Sequence, residues 1–120
     1  MLPTINIYPA AMVVNLDKST GPGTHWVAIY LRNKSQAYYF DSYGEPPPAI
    51  LRKFLKPYHV THNTFVIQSI ISTVCAHYCI YFLYQCCKGV NYHFILTNLA
   101  KSNNPDAFVQ SFVSHLNSCE

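Results

Sequence analysis

The chain has 120 residues, half of them apolar, which suits one domain with its own core. Only 11% of residues are charged and the formal net charge is +3, with the basic side chains scattered. That balance makes no case for nucleic-acid binding, although it does not exclude it. Ten tyrosines on a sparsely charged chain imply a modestly polar surface, and with it a partner, a further chain or a substrate groove.

The cysteines number five, an odd count, and "MLPTINIYPA" has neither a basic leader nor a long apolar run. Free thiols in a reducing compartment are therefore expected, which places the protein inside the cell, in cytoplasm or nucleus, rather than secreted. The longest apolar stretch, Tyr78 to Tyr84, is far short of the ~20 residues that span a bilayer, so no membrane partner is expected.

In chain order, Ala11 to Leu16 is short, apolar and β-branched, and reads as a strand. Asp17 to Thr24 is a Gly- and Pro-containing loop. His25 to Arg32 is a second strand, Asn33 to Gln36 a turn, and Ala37 to Tyr43 a third strand that closes an antiparallel hairpin. Their near-continuous apolar character predicts cover on both faces. Prolines then lead into a helix carrying Ile50, Leu51, Phe54 and Leu55, with Pro57 past its end. His59 and His62 fall in an expected loop, and Thr64 to Gln68 reads as a fourth strand. Cys75 to Gly89 is apolar on nearly every side and ends in Lys88 and Gly89, the signature of a buried central helix. Two amphipathic helices follow, the last with Pro105 in its first turn. Strands followed by helices predict an α+β fold, a small, mostly antiparallel sheet packed on the central helix.

Four residues stand where chemistry is plausible. Cys75 opens the central helix, whose dipole and unpaired N–H groups favour the thiolate; the alternative is a core thiol, the reading that suits Cys79, Cys86 and Cys87. His25 heads a strand that would hold it rigidly, as a base for a thiol must be held. His59, His62, His77, His93 and His115 compete, but His77 diverges from Cys75 on a helix and the first two sit in a loop. Asp41 interrupts an apolar strand, where a charge is costly without a partner, and it lies towards the same open end of the hairpin as His25. Gln68 ends a strand shortly before Cys75, and its amide can donate to an oxyanion. A zinc set of His59, His62, Cys75 and Cys79 also exists on paper, but Cys-x3-Cys within a helix does not usually close such a site.

The ordered phrases "GTHWVAIYL", "YYFDSYGEPP" and "Q-x6-CAHYCIYFL" resemble the adenovirus protease (adenain) and its relatives in virus-like DNA transposons, and more distantly the SUMO-type ubiquitin-like-protein peptidases. The likeness runs from about Val13 to about Leu83. It implies a papain-like α+β core of viral or transposon derivation, with the nucleophile at the central helix N-terminus. His25 with Trp26 falls on the family's catalytic histidine, Asp41 on its acidic member, Gln68 on its oxyanion glutamine and Cys75 on its nucleophile. The implied function is a thiol-dependent endopeptidase that cleaves extended peptides after glycine, in a precursor protein or a ubiquitin-like tail, without a cofactor. Two features depart from the pattern. Ala76 stands where the family has glycine, and relatives carry more sequence upstream of the histidine. The chain is accordingly expected to be a single cysteine-peptidase-like domain over 1–120 that lacks part of the usual N-terminal region. The alternative is a catalytically inactive or truncated relative that serves as a peptide- or protein-binding module.

Overall fold

The computed structural model describes residues 4–16, 25–67 and 75–118, the side chains of the last two excepted. The expected loop from Asp17 to Thr24, Gln68 and Cys119 lie outside the described residues.

Four strands form one mixed sheet in the order β1-β2-β3-β4: β1 (Ala10–Asn15), β2 (Trp26–Leu31), β3 (Gln36–Phe40) and β4 (His59–His62). The first two pairings are antiparallel and β3 pairs with β4 in parallel. Asn33 closes the β2–β3 turn, its side-chain oxygen accepting from the backbone N–H groups of Ser35 and Gln36 at 2.9 Å each. Helix α1 (Ala49–Phe54) links β3 to β4, while α2 (Cys75–Cys87), α3 (Tyr92–Lys101) and α4 (Pro105–Ser118) follow the sheet. The molecule is α+β, with most of the sheet antiparallel.

The sheet separates two apolar layers, which explains the unbroken apolar run of β2: Val27 to Leu31 are all buried. On one face Val27, Ile29, Leu31 and Tyr39 pack with Leu51 of α1 and with Leu55, which caps its C-terminus. On the other, Ala28, Tyr30 and Phe40 meet Tyr78, Cys79 and Phe82 of α2, and the rings of Phe40 and Phe82 stack at 4.8 Å. Helix α2 therefore packs across β2 and reaches Phe40 of β3 through Phe82, and its first described residue is Cys75.

One expected element is corrected. The fourth strand is His59–His62, not Thr64 to Gln68. β-Branched Val60 and Thr61 suit His59–His62 to dock in parallel on β3, with Ala37 opposite Val60 and Tyr39 opposite His62. Of the expected strand, residues 64–67 carry no ladder; Ile67 N–H donates to the Ser42 carbonyl at 2.8 Å, and Phe65 and Val66 face solvent.

Candidate active site

His25 immediately precedes β2. Its carbonyl accepts from Leu16 N–H at 2.7 Å, so the β1–β2 pairing continues one step past the strands and fixes its backbone. Asp41 immediately follows β3. The hairpin thus brings both side chains to one end of the sheet, where His25 Nε2 lies 2.9 Å from Asp41 Oδ1. A carboxylate only accepts, so Nε2 carries the proton and donates, and in the neutral ring Nδ1 keeps the lone pair. Nδ1 is buried and has no hydrogen-bond partner among the described residues. Asp41 itself is 1% exposed, and its Oδ1 also accepts from Tyr43 N–H at 2.8 Å. Burial of this carboxylate is offset by those two donors.

Cys75 enters the same corner from α2. Trp26 N–H donates to Cys75 Sγ at 3.4 Å, which holds the sulfur against the residue next to His25. The structure therefore gathers three of the four residues singled out in the sequence, His25, Asp41 and Cys75. Gln68, the fourth, lies outside the described residues. Ala76 is half-buried as the second residue of α2.

Cys75 is buried, at 4% exposure, and so are Cys79 and Cys86 on the same helix. Cys79, one turn along α2, has its thiol pushed well up, first by burial and then by the Cys75 and Asp41 groups. Cys86 is pushed up to about 12, mainly by burial. Cys87 is exposed. Cys79 and Cys86 are therefore protonated and inert at neutral pH.

Three contributors were not legible as such. Tyr43 stacks on the His25 ring, centroids 4.8 Å apart and planes 29° apart. Burial raises its phenol, and the nearby Cys75, Asp106 and Asp41 groups add to the rise. Asn63, 3% exposed, accepts from Asp41 N–H at 3.1 Å and donates to the Asp41 carbonyl at 2.5 Å and the Phe65 carbonyl at 3.3 Å. Its partners are main-chain atoms, which leave no trace in sequence. Asp106, in the first turn of α4, accepts from the Tyr78 hydroxyl at 2.5 Å and ties α4 to the start of α2.

The zinc arrangement is not formed: His59 and His62 lie on β4, Cys75 and Cys79 on α2, and no three His, Cys, Asp or Glu side chains gather to hold a metal among the described residues. Nor is any helix among them long and apolar enough to cross a membrane.

No family model matches the chain, and no solved structure matches it. Curated proteins do. A cysteine protease of African swine fever virus (a Tick/Malawi isolate) is 33% identical over 107 residues, covering 76% of this chain and 39% of its own length. A SUMO-1 cysteine protease of the same virus (a Pig/Kenya isolate) is 31% identical over an alignment that covers 87% of this chain and 42% of its own length. The chain spans about two fifths of the length of these relatives. Over three quarters or more of its residues, the chain is related to viral cysteine proteases, some of which carry the name of SUMO-1 proteases.

Proposed function

We propose that the chain is the catalytic part of a cysteine endopeptidase of the ubiquitin-like-protease type, built on a papain-like core. One observation carries this reading: a buried Asp41 holds His25 through Nε2, and Cys75 Sγ sits against the backbone one residue from that histidine. The relatives named as cysteine proteases support it.

In this reading Nδ1 of His25 takes the Cys75 proton, and the thiolate attacks the peptide carbonyl carbon. The carbonyl π electrons move to oxygen. The Cys75 backbone N–H and the Gln68 amide donate to that oxyanion. The C–N bond then breaks, and the imidazolium returns its proton to the leaving amine. Water, deprotonated by His25, cleaves the thioester and restores the thiol. Asp41 keeps Nε2 protonated and stabilises the imidazolium without accepting its proton. The substrate is an extended polypeptide, a precursor protein or a ubiquitin-like tail, cut after glycine.

The test is the pH dependence of iodoacetamide alkylation at each cysteine, read by mass spectrometry, in the parent and in His25→Ala. An ordinary thiol near 8.5 loses about tenfold in rate per pH unit below that value. Cys87 serves as the exposed reference thiol, and Cys79 is expected to stay unmodified. Cys75 is expected to react faster than Cys87 at pH 6–7, and to lose that advantage in His25→Ala. A Cys75 profile that tracks Cys87 in both proteins overturns the reading. Glycine preference is then read from cleavage of a peptide mixture.

A further inference from the structure

At the end of the sheet away from His25, the face that packs on α2 changes character. Ala28, Tyr30 and Phe40 of that face are buried in the core. The alternation of strand side chains places Arg32 next to Tyr30 on the same face, and Gln36 beyond Tyr38. Arg32 N–H still donates to the Gln36 carbonyl at 2.9 Å, and β4 sets His59 opposite Gln36 and Thr61 opposite Tyr38. With Asn91 and His93 at the start of α3, these polar residues line a cavity of about 220 Å³.

The cavity is a collection of donors. Each of its polar side chains can donate a hydrogen bond, and among the described residues no carboxylate lines it. The Arg32 guanidinium lies over the Tyr38 ring, 5.4 Å from its centroid, and the Tyr38 ring in turn meets Tyr92 at 4.8 Å. Among the described residues that guanidinium makes one long bond, from Nη1 to Gln36 Oε1 at 3.4 Å, so most of its five N–H groups remain for a ligand. The acids stand elsewhere: Asp41 and Glu45 at the His25 corner, and Asp106 bonded to Tyr78. The N-terminus of α3 is not the source of the preference, because the Asn91 side chain already accepts from the His93 and Phe94 N–H groups.

We propose that this cavity binds one phosphate-type dianion, free or esterified, through the Arg32 fork and the His59 and His93 rings. A guanidinium pre-set on an aromatic ring matches two oxygens of a phosphate at once, which a lysine ammonium does not. Walls drawn from β2, β3, β4 and α3 enclose a single group. A nucleic-acid backbone needs a track of cations instead, and the basic side chains of this chain are scattered. The site is independent of the peptidase reading: His25 and Arg32 flank opposite ends of β2, roughly 20 Å apart along the strand.

The test titrates the full chain with sodium phosphate in ~0.1 M NaCl at about pH 7.5, where phosphate is mainly the dianion, and follows the side-chain NMR signals of Arg32, His59 and His93. The three are expected to shift together with a midpoint of about 1–10 mM, the range open to so small a ligand. Arg32→Gln is expected to weaken phosphate about tenfold or more. Lys34→Gln removes the same charge from the adjacent turn, outside the cavity, and is expected to change affinity less than about twofold. His59→Gln repeats the test at the opposite wall, with a loss of about threefold expected, and serves alone if Arg32→Gln unfolds. N-acetyl-phosphoserine amide and adenosine monophosphate are titrated in the same way. Tighter binding of the first assigns the site to a phosphorylated protein segment, tighter binding of the second to a nucleotide, and equal binding of all three to free phosphate. Absent shifts up to about 50 mM phosphate, or equal losses in Arg32→Gln and Lys34→Gln, overturn the site and leave a diffuse positive field. A short oligonucleotide that binds more tightly than all three probes, and weakens alike in both variants, marks a nucleic-acid surface and overturns it too.

Discussion

Asn63 shows how much one neutral side chain organises. Its amide accepts from the Asp41 N–H and donates to the Asp41 carbonyl, so the backbone under the buried carboxylate rests on this one group. Removal leaves a buried donor and acceptor without partners, which costs about 1–3 kcal/mol. Asn63→Ala is expected to lower the unfolding free energy measured in urea by that amount and to weaken the His25-dependent reactivity of Cys75. Asn63→Asp is expected to be at least as damaging: a carboxylate accepts from Asp41 N–H but has no proton for either carbonyl, and it adds a buried charge beside Asp41. Full stability in Asn63→Asp, measured by urea unfolding, contradicts this role.

At the scale of elements, two glycines mark the ends of the two segments that meet at the site. Gly89 follows α2 with φ +82°; its N–H donates to Cys86 and Val90 N–H donates to Gln85, the paired bonds that stop a helix at a left-handed residue. Gly44 follows the Asp41 turn with φ +74°, and a Cβ there would lie 2.7 Å from the Phe65 carbonyl carbon and oxygen. A Cβ added at Gly89 would meet no described atom within 4 Å beyond its chain neighbours. Gly89→Ala therefore carries only the conformational cost of a left-handed alanine, roughly 1 kcal/mol. Gly44→Ala adds a clash with main chain that cannot swing aside, and is expected to cost at least about 1 kcal/mol more. Urea unfolding of the two variants side by side checks the difference, and equal losses refute it. The close approach matters because residues 63–67 brace the Asp41 turn and lead on towards Cys75.

The whole molecule buries acids that ionise only at high pH. Tyr39, Tyr78, Tyr92 and Cys79 are all held above their ordinary values by burial first, and Cys86 is pushed up to about 12. Unfolded, these groups release protons near 9.0 for cysteine and 10.0 for tyrosine. A raised folded value means that the folded state keeps protons the unfolded state gives up. The stability these groups contribute is thus complete below about pH 9 and lost as pH rises through their raised values. Urea unfolding is expected to show little pH dependence from these groups between pH 6 and 8. Above pH 10 stability should fall by more than ~1.4 kcal/mol per pH unit, the slope of a single proton. A flat profile to pH 11 would show that the aromatic core is open to hydroxide.

Local patterning already specified the hairpin, the buried central helix with its glycine stop, and the two closing helices. Each is a short-range matter of apolar period, turn residues and caps, such as Asn33 in the β2–β3 turn. The candidate residues His25, Asp41 and Cys75 were visible because each breaks an apolar run or opens an element where a polar group needs a reason. Pairing partners were beyond local reading. Whether Val60 and Thr61 or the equally apolar Phe65 and Val66 dock beside β3 depends on where α1 delivers the chain, and that is a property of packing. The same holds for Asn63, Tyr43 and Asp106, whose roles consist of contacts with main chain or side chains brought close only by the folded sheet and helices. Sequence alone determined the hairpin, the central and closing helices and which residues are costly where they stand; the tertiary structure decided which segment forms the fourth strand and which of those costs are met by which partner, because strand pairing, hydrogen bonds and ring contacts are set by distance in space rather than along the chain.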